Sequence, residues 1–392
     1  MLHGFDEAHE VITKTLPVKM TRRQVWEQAE RVGRDLVNRR EDEVKAMLEG
    51  RPPRPPANAP DLLVISPPAG RNRRRSGRSG DGGRIQDRSR PVGDRWCEYK
   101  AAVVYRVTRD AAARKGTRPD PQPAPHWKHV AGRDGFVRTE VGKKLYRASR
   151  PETKTFTAST KTVERFPLDV ELEARRRGLM EAHTVAVVGD GGEFVWRTAR
   201  EVCADRRARG RRVFEVLDII HAGEHLTDAA KAAFGVTKEG AGWLNARLAE
   251  MWSGNAKKLV RAIKEKAAAL GPRPGAEGDA TRILWNARDC FETHRDRIRY
   301  DVFRRHGLPL TSCHIESGIK QANRRVKGSE KQWYPRHADE MLALRCHALS
   351  EDGRWDDHFD ALRRGEIEIP TPGRARAAGK SAATDSRDTQ AA

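Results

Sequence analysis

No apolar run in the sequence approaches the roughly 20 residues needed to cross a bilayer. Met1–Glu10, interrupted by acids and a histidine, does not read as a secretory leader. Cysteine is scarce, at positions 97, 203, 290, 313 and 346, odd in number and widely spaced. That pattern excludes a disulfide framework and a CxxC zinc ribbon, and it fits a reducing cytoplasm. Apolar residues are also few, 37% of 392, so some segments are expected to stay outside any core. Positive charge is what the chain has in excess. Lys and Arg number 76 against 55 acids, a net charge of +21 and a pI near 10.1. A large polyanion is the expected partner, with no membrane, in a cytoplasmic and nucleoid-associated setting. The length suggests two or three domains.

Residues 1–50 read as two helices. Phe5, Ala8, Val11 and Ile12 fall at helical spacing, and Pro17 closes the first segment. Thr21 is placed to cap Arg22–Arg40, where Val25, Ala29, Val32 and Leu36 repeat along one face. A helix-turn-helix would present Arg22, Arg23 and Gln24 to DNA at the start of its second helix. An ordinary helical hairpin with a solvated basic face fits the same pattern, and the residues leave both open. Residues 51–60 are a Pro-rich linker.

Residues 61–222 read as the first part of an α/β core. Leu62–Ser66 is a buried-strand pattern, and the Arg-rich insertion 67–80 is expected to be disordered. Arg95–Val107 is a strand, 109–150 a long excursion, and Lys154–Ser159 a weak third strand. Helices at Val163–Glu181 and Glu193–Arg207 alternate with strands at Thr184–Asp190 and Arg212–Asp218, giving a mixed sheet with flanking helices. Residues 223–308 are helical throughout apart from a break at 271–275. Trp243, Leu244, Leu248 and Trp252 make one core stripe there, and Leu259, Ile263 and Leu270 another. Residues 309–356 complete the core with helices at Glu316–Arg325 and Arg336–Leu349, and 357–392 form a largely disordered tail.

Asp190 and Asp218 end two strands separated by one helix, so both emerge on the same edge of the sheet. Either alone could simply cap the helix that follows. Joined by Asp81 and Glu316 they form an oxygen-only set suited to hard divalent cations. Two such ions, Mg²⁺ or Mn²⁺, about 3.5–4 Å apart, drive in-line phosphodiester displacement. Lys320, Arg324, Arg325 and Lys327 would hold the nucleic acid beside them, Lys320 lying one turn beyond Glu316. A rival pattern is His221-Ala-Gly-Glu224-His225, the HxxEH of inverted zinc peptidases, whose plain reading is a capped and solvated helix start. Cys313 and Cys346 read as packing residues, and Trp333 as core or as a stacking platform.

Three ordered blocks carry a family resemblance: Val188–Gly192, Val216–Leu226 and His314–Trp333, with Asp81–Arg88 and Trp96–Lys100 upstream. They resemble the ISKra-type insertion-sequence transposases, Mutator-like enzymes with a ribonuclease-H-like DDE domain, over about residues 60–356. The resemblance implies a catalytic, metal-binding triad of Asp81, Asp190 and Glu316, an all-helical insertion between the last two, and an auxiliary pair, Asp218 and His221. It implies metal-dependent cleavage and strand transfer on double-stranded DNA, at the element's terminal inverted repeats and at target DNA, and it leaves a homo-oligomer open. Two features depart from the family: residues 67–80 separate the first strand from Asp81-Gly82, and Thr311–His314 replaces the small-residue turn before the glutamate. They leave the alternative of a DNA-binding remnant that keeps the fold without turnover.

Overall fold

A computed structural model describes residues 5–67, 69–73, 96–118, 127–140, 151–273, 279–312 and 335–369. Its centre is a mixed sheet. Strand β1 (Leu62–Ser66) pairs antiparallel with β3 (Trp96–Val107), Leu62 facing Val107 and Ser66 facing Val103. Strand β2 (Ala69–Arg73) takes up the same register two residues later, with Ala69 facing Lys100. It therefore extends β1 along one side of β3, past an interruption at Pro67, which has no amide to give. Residues 69–73 had been expected within a disordered insertion. They are a strand because a backbone ladder needs no apolar side chains.

The other side of β3 pairs antiparallel with β6 (Lys154–Ser159). Beyond β1 the sheet turns parallel, to β7 (Thr184–Gly189) and then β8 (Val213–Leu217). Across the sheet the order is β6, β3, β1, β7, β8, with β1 and β7 buried at every position. Near-continuous apolar runs such as Leu62-Leu-Val-Ile and Thr184-Val-Ala-Val-Val suit central strands covered on both faces. At the amino edge Arg109 clamps the sheet, its Nη2 donating to Asp61 Oδ1 at 2.9 Å and to Thr184 Oγ1 at 2.8 Å.

The helix α4 (Phe166–Arg176) covers β3 and β6, and α5 (Glu193–Val202) lies beside α4. The single helix expected over 193–207 breaks at Cys203 into α5 and a short α6 (Ala204–Ala208). On α6 the fully buried Arg206 donates to the carbonyls of Leu179 at 2.9 Å and Ala182 at 2.7 Å, closing the turn into β7.

The helical block comprises α7 (Ile219–Phe234), α8 (Lys238–Trp252), α9 (Ala256–Leu270), α10 (Ala280–Thr293), a 3₁₀ turn at Arg295–Arg297 and α11 (Tyr300–Arg305). Leu244, Leu248, Leu259 and Ile263 are buried, but Leu270, expected in the stripe, is exposed at the end of α9. The excursion at 109–150 contains a short α3 (Ala111–Lys115) and a hairpin, β4 (Trp127–Ala131) with β5 (Phe136–Glu140). The Asn245 amide of α8 pins the hairpin by pairing with both the N–H and the C=O of His129, each at 2.9 Å.

At the amino end α1 (Phe5–Thr15) packs on α2 (Arg22–Leu48), which runs past the expected end at Arg40. Helix α2 lies against α4 and against α12 (Pro335–Leu349), which itself packs on β6. The last described helix is α13 (Arg354–Arg363), so residues 357–363, expected in a disordered tail, are helical, and His358 there is buried. No helix among the described residues is long and apolar enough to cross a membrane.

Candidate active site at the carboxyl edge of the parallel strands

The three parallel strands end side by side at Ser66, Gly189 and Leu217. Asp190 follows β7 and is exposed, with Oδ1 accepting the Gly192 N–H at 3.0 Å. The surrounding glycines are required by geometry. A Cβ on Gly189 would lie 2.3 Å from Val195 Cγ1, and Gly191 has φ +99°, a region side chains rarely adopt. Gly192 then caps α5. The turn therefore presents one carboxylate to solvent at the edge where open α/β folds build their sites.

Asp218 follows β8 and has a different environment. It is buried, and its N–H bonds the Gly189 carbonyl at 2.7 Å, joining the two strand ends. Its Oδ1 caps α7 by accepting the Ile220 N–H at 2.7 Å. Its Oδ2 accepts both the N–H of Ser312, at 2.7 Å, and the Ser312 hydroxyl. The Ile219 N–H meets the Leu310 carbonyl at 3.0 Å. The carboxylate thus faces inward and fastens residues 310–312 to the sheet edge, immediately before the segment that carries Glu316. The Tyr300 hydroxyl donates to the Leu217 carbonyl at 2.8 Å, and burial, then the nearby Asp218 charge, raises the phenol well above its ordinary pKa.

A buried histidine supports the Asp190 turn from the helical block. His294 Nδ1 lies 2.8 Å from Arg297 Nη1, and the ring also bonds the Gly191 backbone. An arginine can only donate, so Nδ1 accepts and Nε2 carries the proton. Burial first, then Arg297, lowers the His294 pKa, which favours that neutral form. Arg297 stacks over Trp196 at 4.2 Å and donates to Glu215 Oε2 at 2.7 Å. Sequence reading missed His294, Arg297 and Ser312 as supports of this edge. The Thr311–His314 departure was the one visible signal near Ser312.

Of the other residues singled out, His221 sits in the first turn of α7, half-buried, its Nδ1 3.0 Å from Glu224 Oε2. His225 on the next turn is exposed. In the HxxEH reading Glu224 would serve as base, yet here it is the partner of His221. Arg22 and Arg23 are exposed and paired with Asp6 and Glu27 at 2.6 and 2.7 Å. Gln24 closes a capping box with Thr21, its Oε1 accepting the Thr21 N–H at 2.7 Å. Cys346 is buried beside α2 and its thiol is pushed up to about 12 by burial, as befits a packing residue. Asp81, Cys313, Glu316, Lys320, Arg324, Arg325, Lys327 and Trp333 lie outside the described residues.

Away from this edge, among the described residues, Glu30, His337 and Glu340 form a group that could hold a metal ion, the two glutamates buried. No protein-family model, no curated protein and no solved structure matches this chain.

Proposed function

We propose that the chain is a DNA transposase with a ribonuclease-H-like core, of the ISKra type its sequence blocks resemble. The observation that carries this reading is one arrangement. Three antiparallel strands continue into two parallel ones in the order β6, β3, β1, β7, β8, and the exposed carboxylate of Asp190 stands at the end of the strand beside β1. A helical block follows β8, between Asp190 and the segment of Glu316. Chain order and strand direction of this kind suit a site that gathers carboxylates from strand ends and one late helix. Asp190 would hold Mg²⁺ or Mn²⁺ together with Asp81 and Glu316, and a bound ion pair would supply charge for activating water or a 3′-hydroxyl. In this arrangement Asp218 is a positioning residue, holding residues 310–312 in place. Lys320, Arg324, Arg325 and Lys327 would lie along phosphates of the terminal repeats or the target.

A second reading is a DNA-binding remnant without turnover. It is favoured by one observation: β1 ends in Ser66-Pro67 and continues as β2, where an active member would place its first aspartate. The experiment that separates the two is cleavage of DNA flanking the coding region. The active reading expects Mg²⁺-dependent nicking that Asp190→Ala and Glu316→Gln each abolish while salt-sensitive binding persists. Undiminished cleavage by either variant removes the triad. Salt-sensitive binding by the wild type with no cleavage in Mg²⁺ or Mn²⁺ establishes the remnant.

A further inference from the structure

We propose that Glu30, His337 and Glu340 bind a zinc ion and so fasten the amino-terminal helical hairpin to the body of the protein. This site is separate from the edge at Asp190 and does not rest on the transposase reading. The three residues come from two helices, Glu30 from α2 and His337 with Glu340 from the first turns of α12. Positions three apart on a helix share a face, so His337 and Glu340 both look at α2. One ligand atom from each lies within 4.8 Å of the other two.

The atoms meet in a particular way. His337 Nδ1 faces two carboxylate oxygens at once, Glu30 Oε1 and Glu340 Oε2, the latter at 3.2 Å. A ring nitrogen has at most one N–H, which cannot point along both directions. A cation at the common focus accepts an electron pair from all three. A tetrahedron with bonds of about 2.1 Å has edges of about 3.4 Å, which the His337–Glu340 separation of 3.2 Å approaches, while the closer His337–Glu30 pair would part to admit the ion. One imidazole nitrogen with two carboxylate oxygens is a set zinc accepts, with water in the fourth position. Glu30 and Glu340 are only 6% and 5% exposed, so a cation held between them would be screened from bulk water.

The surroundings supply what a metal site needs. Arg34 Nε donates to the far oxygen of Glu340 at 2.9 Å and so holds that carboxylate in orientation. Trp26 packs its ring 5.6 Å from the His337 ring. Trp26, Glu30 and Arg34 follow one another at four-residue steps on a single face of α2. Within that stretch a Cβ on Gly33 would lie 2.4 Å from the Glu340 carbonyl oxygen, so glycine lets the two helices touch at the site.

The test uses the full chain, stripped with a chelator, dialysed, titrated with Zn²⁺ and with Co²⁺ as a spectroscopic probe. The wild type and Asp190→Ala should each take up about one equivalent, with visible Co²⁺ bands of a tetrahedral site and a thermal midpoint raised by the metal. His337→Gln should lose the uptake and the bands. Arg34→Met leaves all three ligands in place and should weaken affinity by at least about tenfold. Failure of the stripped wild type to bind Zn²⁺ overturns the proposal; this outcome needs no variant to fold. Uptake that survives His337→Gln but disappears in His221→Gln also overturns it, assigning the metal to the α7 histidines.

Discussion

Replacing Asp218 by alanine tests the central claim about the sheet edge, that this carboxylate is a buried fastener. The wild-type side chain accepts from the Ile220 N–H, the Ser312 N–H and the Ser312 hydroxyl. Alanine removes the cap of α7, worth about 0.5–2 kcal/mol. It also strands the Ser312 amide in a site that is 7% exposed, at about 1–3 kcal/mol, while the hydroxyl can rotate to another acceptor. The expected loss is roughly 2–5 kcal/mol, read as a lower urea midpoint at unchanged slope. Asp218→Asn should cost less, roughly 1–3 kcal/mol, because Oδ1 still caps α7 and only the amide nitrogen meets the Ser312 N–H as donor against donor. Ser312→Ala combined with Asp218→Asn should show a coupling above about 0.5 kcal/mol, since the two side chains touch. An Asp218→Ala protein within about 1 kcal/mol of wild type, or a double-mutant cycle with no coupling, would refute the argument. Residues 310–312 would then be held at the edge by something other than this carboxylate.

Acid should destabilise the protein in two separate windows. Burial, then Arg354, lowers the His347 pKa from 6.5 to about 4, so the unfolded chain binds this proton first. The stability is intact above about pH 6.5 and is lost as pH falls toward 4, by about 2–3 kcal/mol. His347→Gln should flatten that part of a pH-dependent denaturation series. Glu173 behaves as a paired carboxylate. Burial works to raise its pKa, but Arg354, bonded to both of its oxygens at 2.9 and 2.7 Å, outweighs that and holds it at about 2. Its contribution is present above about pH 4.5 and is lost as pH falls through 2. At pH 7 Glu173→Gln, which leaves Arg354 buried with only Asp352, should cost about 3 kcal/mol by chemical denaturation. A cost below about 1 kcal/mol would place the value of the pair at that of an exposed ion pair.

The sequence announced some of these parts and concealed others, for physical reasons that differ by residue. Strand β1 at Leu62–Ser66 and strand β6 at Lys154–Ser159 were legible because β-branched and apolar residues mark half-buried or buried extended chain. Strand β2 was not, since Ala69-Gly-Arg-Asn-Arg73 contributes to the sheet through its backbone, by a register set in β1. The β4–β5 hairpin escaped notice because much of its anchorage is Asn245, 116 residues away. Helix α2 continues past its expected end at Arg40 because Val44 and Met47, beyond the acidic Glu41-Asp-Glu43, lie buried against Leu172 of α4.

Polar partners explain the deeper misses. A strand-end aspartate is visible in one dimension, but whether it faces water, as Asp190 does, or Ser312, as Asp218 does, depends on a segment from the far side of the helical block. Glu30 and Asp35 lie off the apolar repeat of Val25, Ala29, Val32 and Leu36 on α2. Both are buried, because α12 brings His337 to Glu30 and α13 brings His358 toward Asp35. Periodicity is a local property and survives in the sequence. The choice between a solvated carboxylate and one enlisted in a buried cluster is made by helices some 300 residues apart, the separation of Arg34 from Glu340 being 306. For that reason the edge at Asp190 could be anticipated from spacing alone, while the cluster on α2 could not.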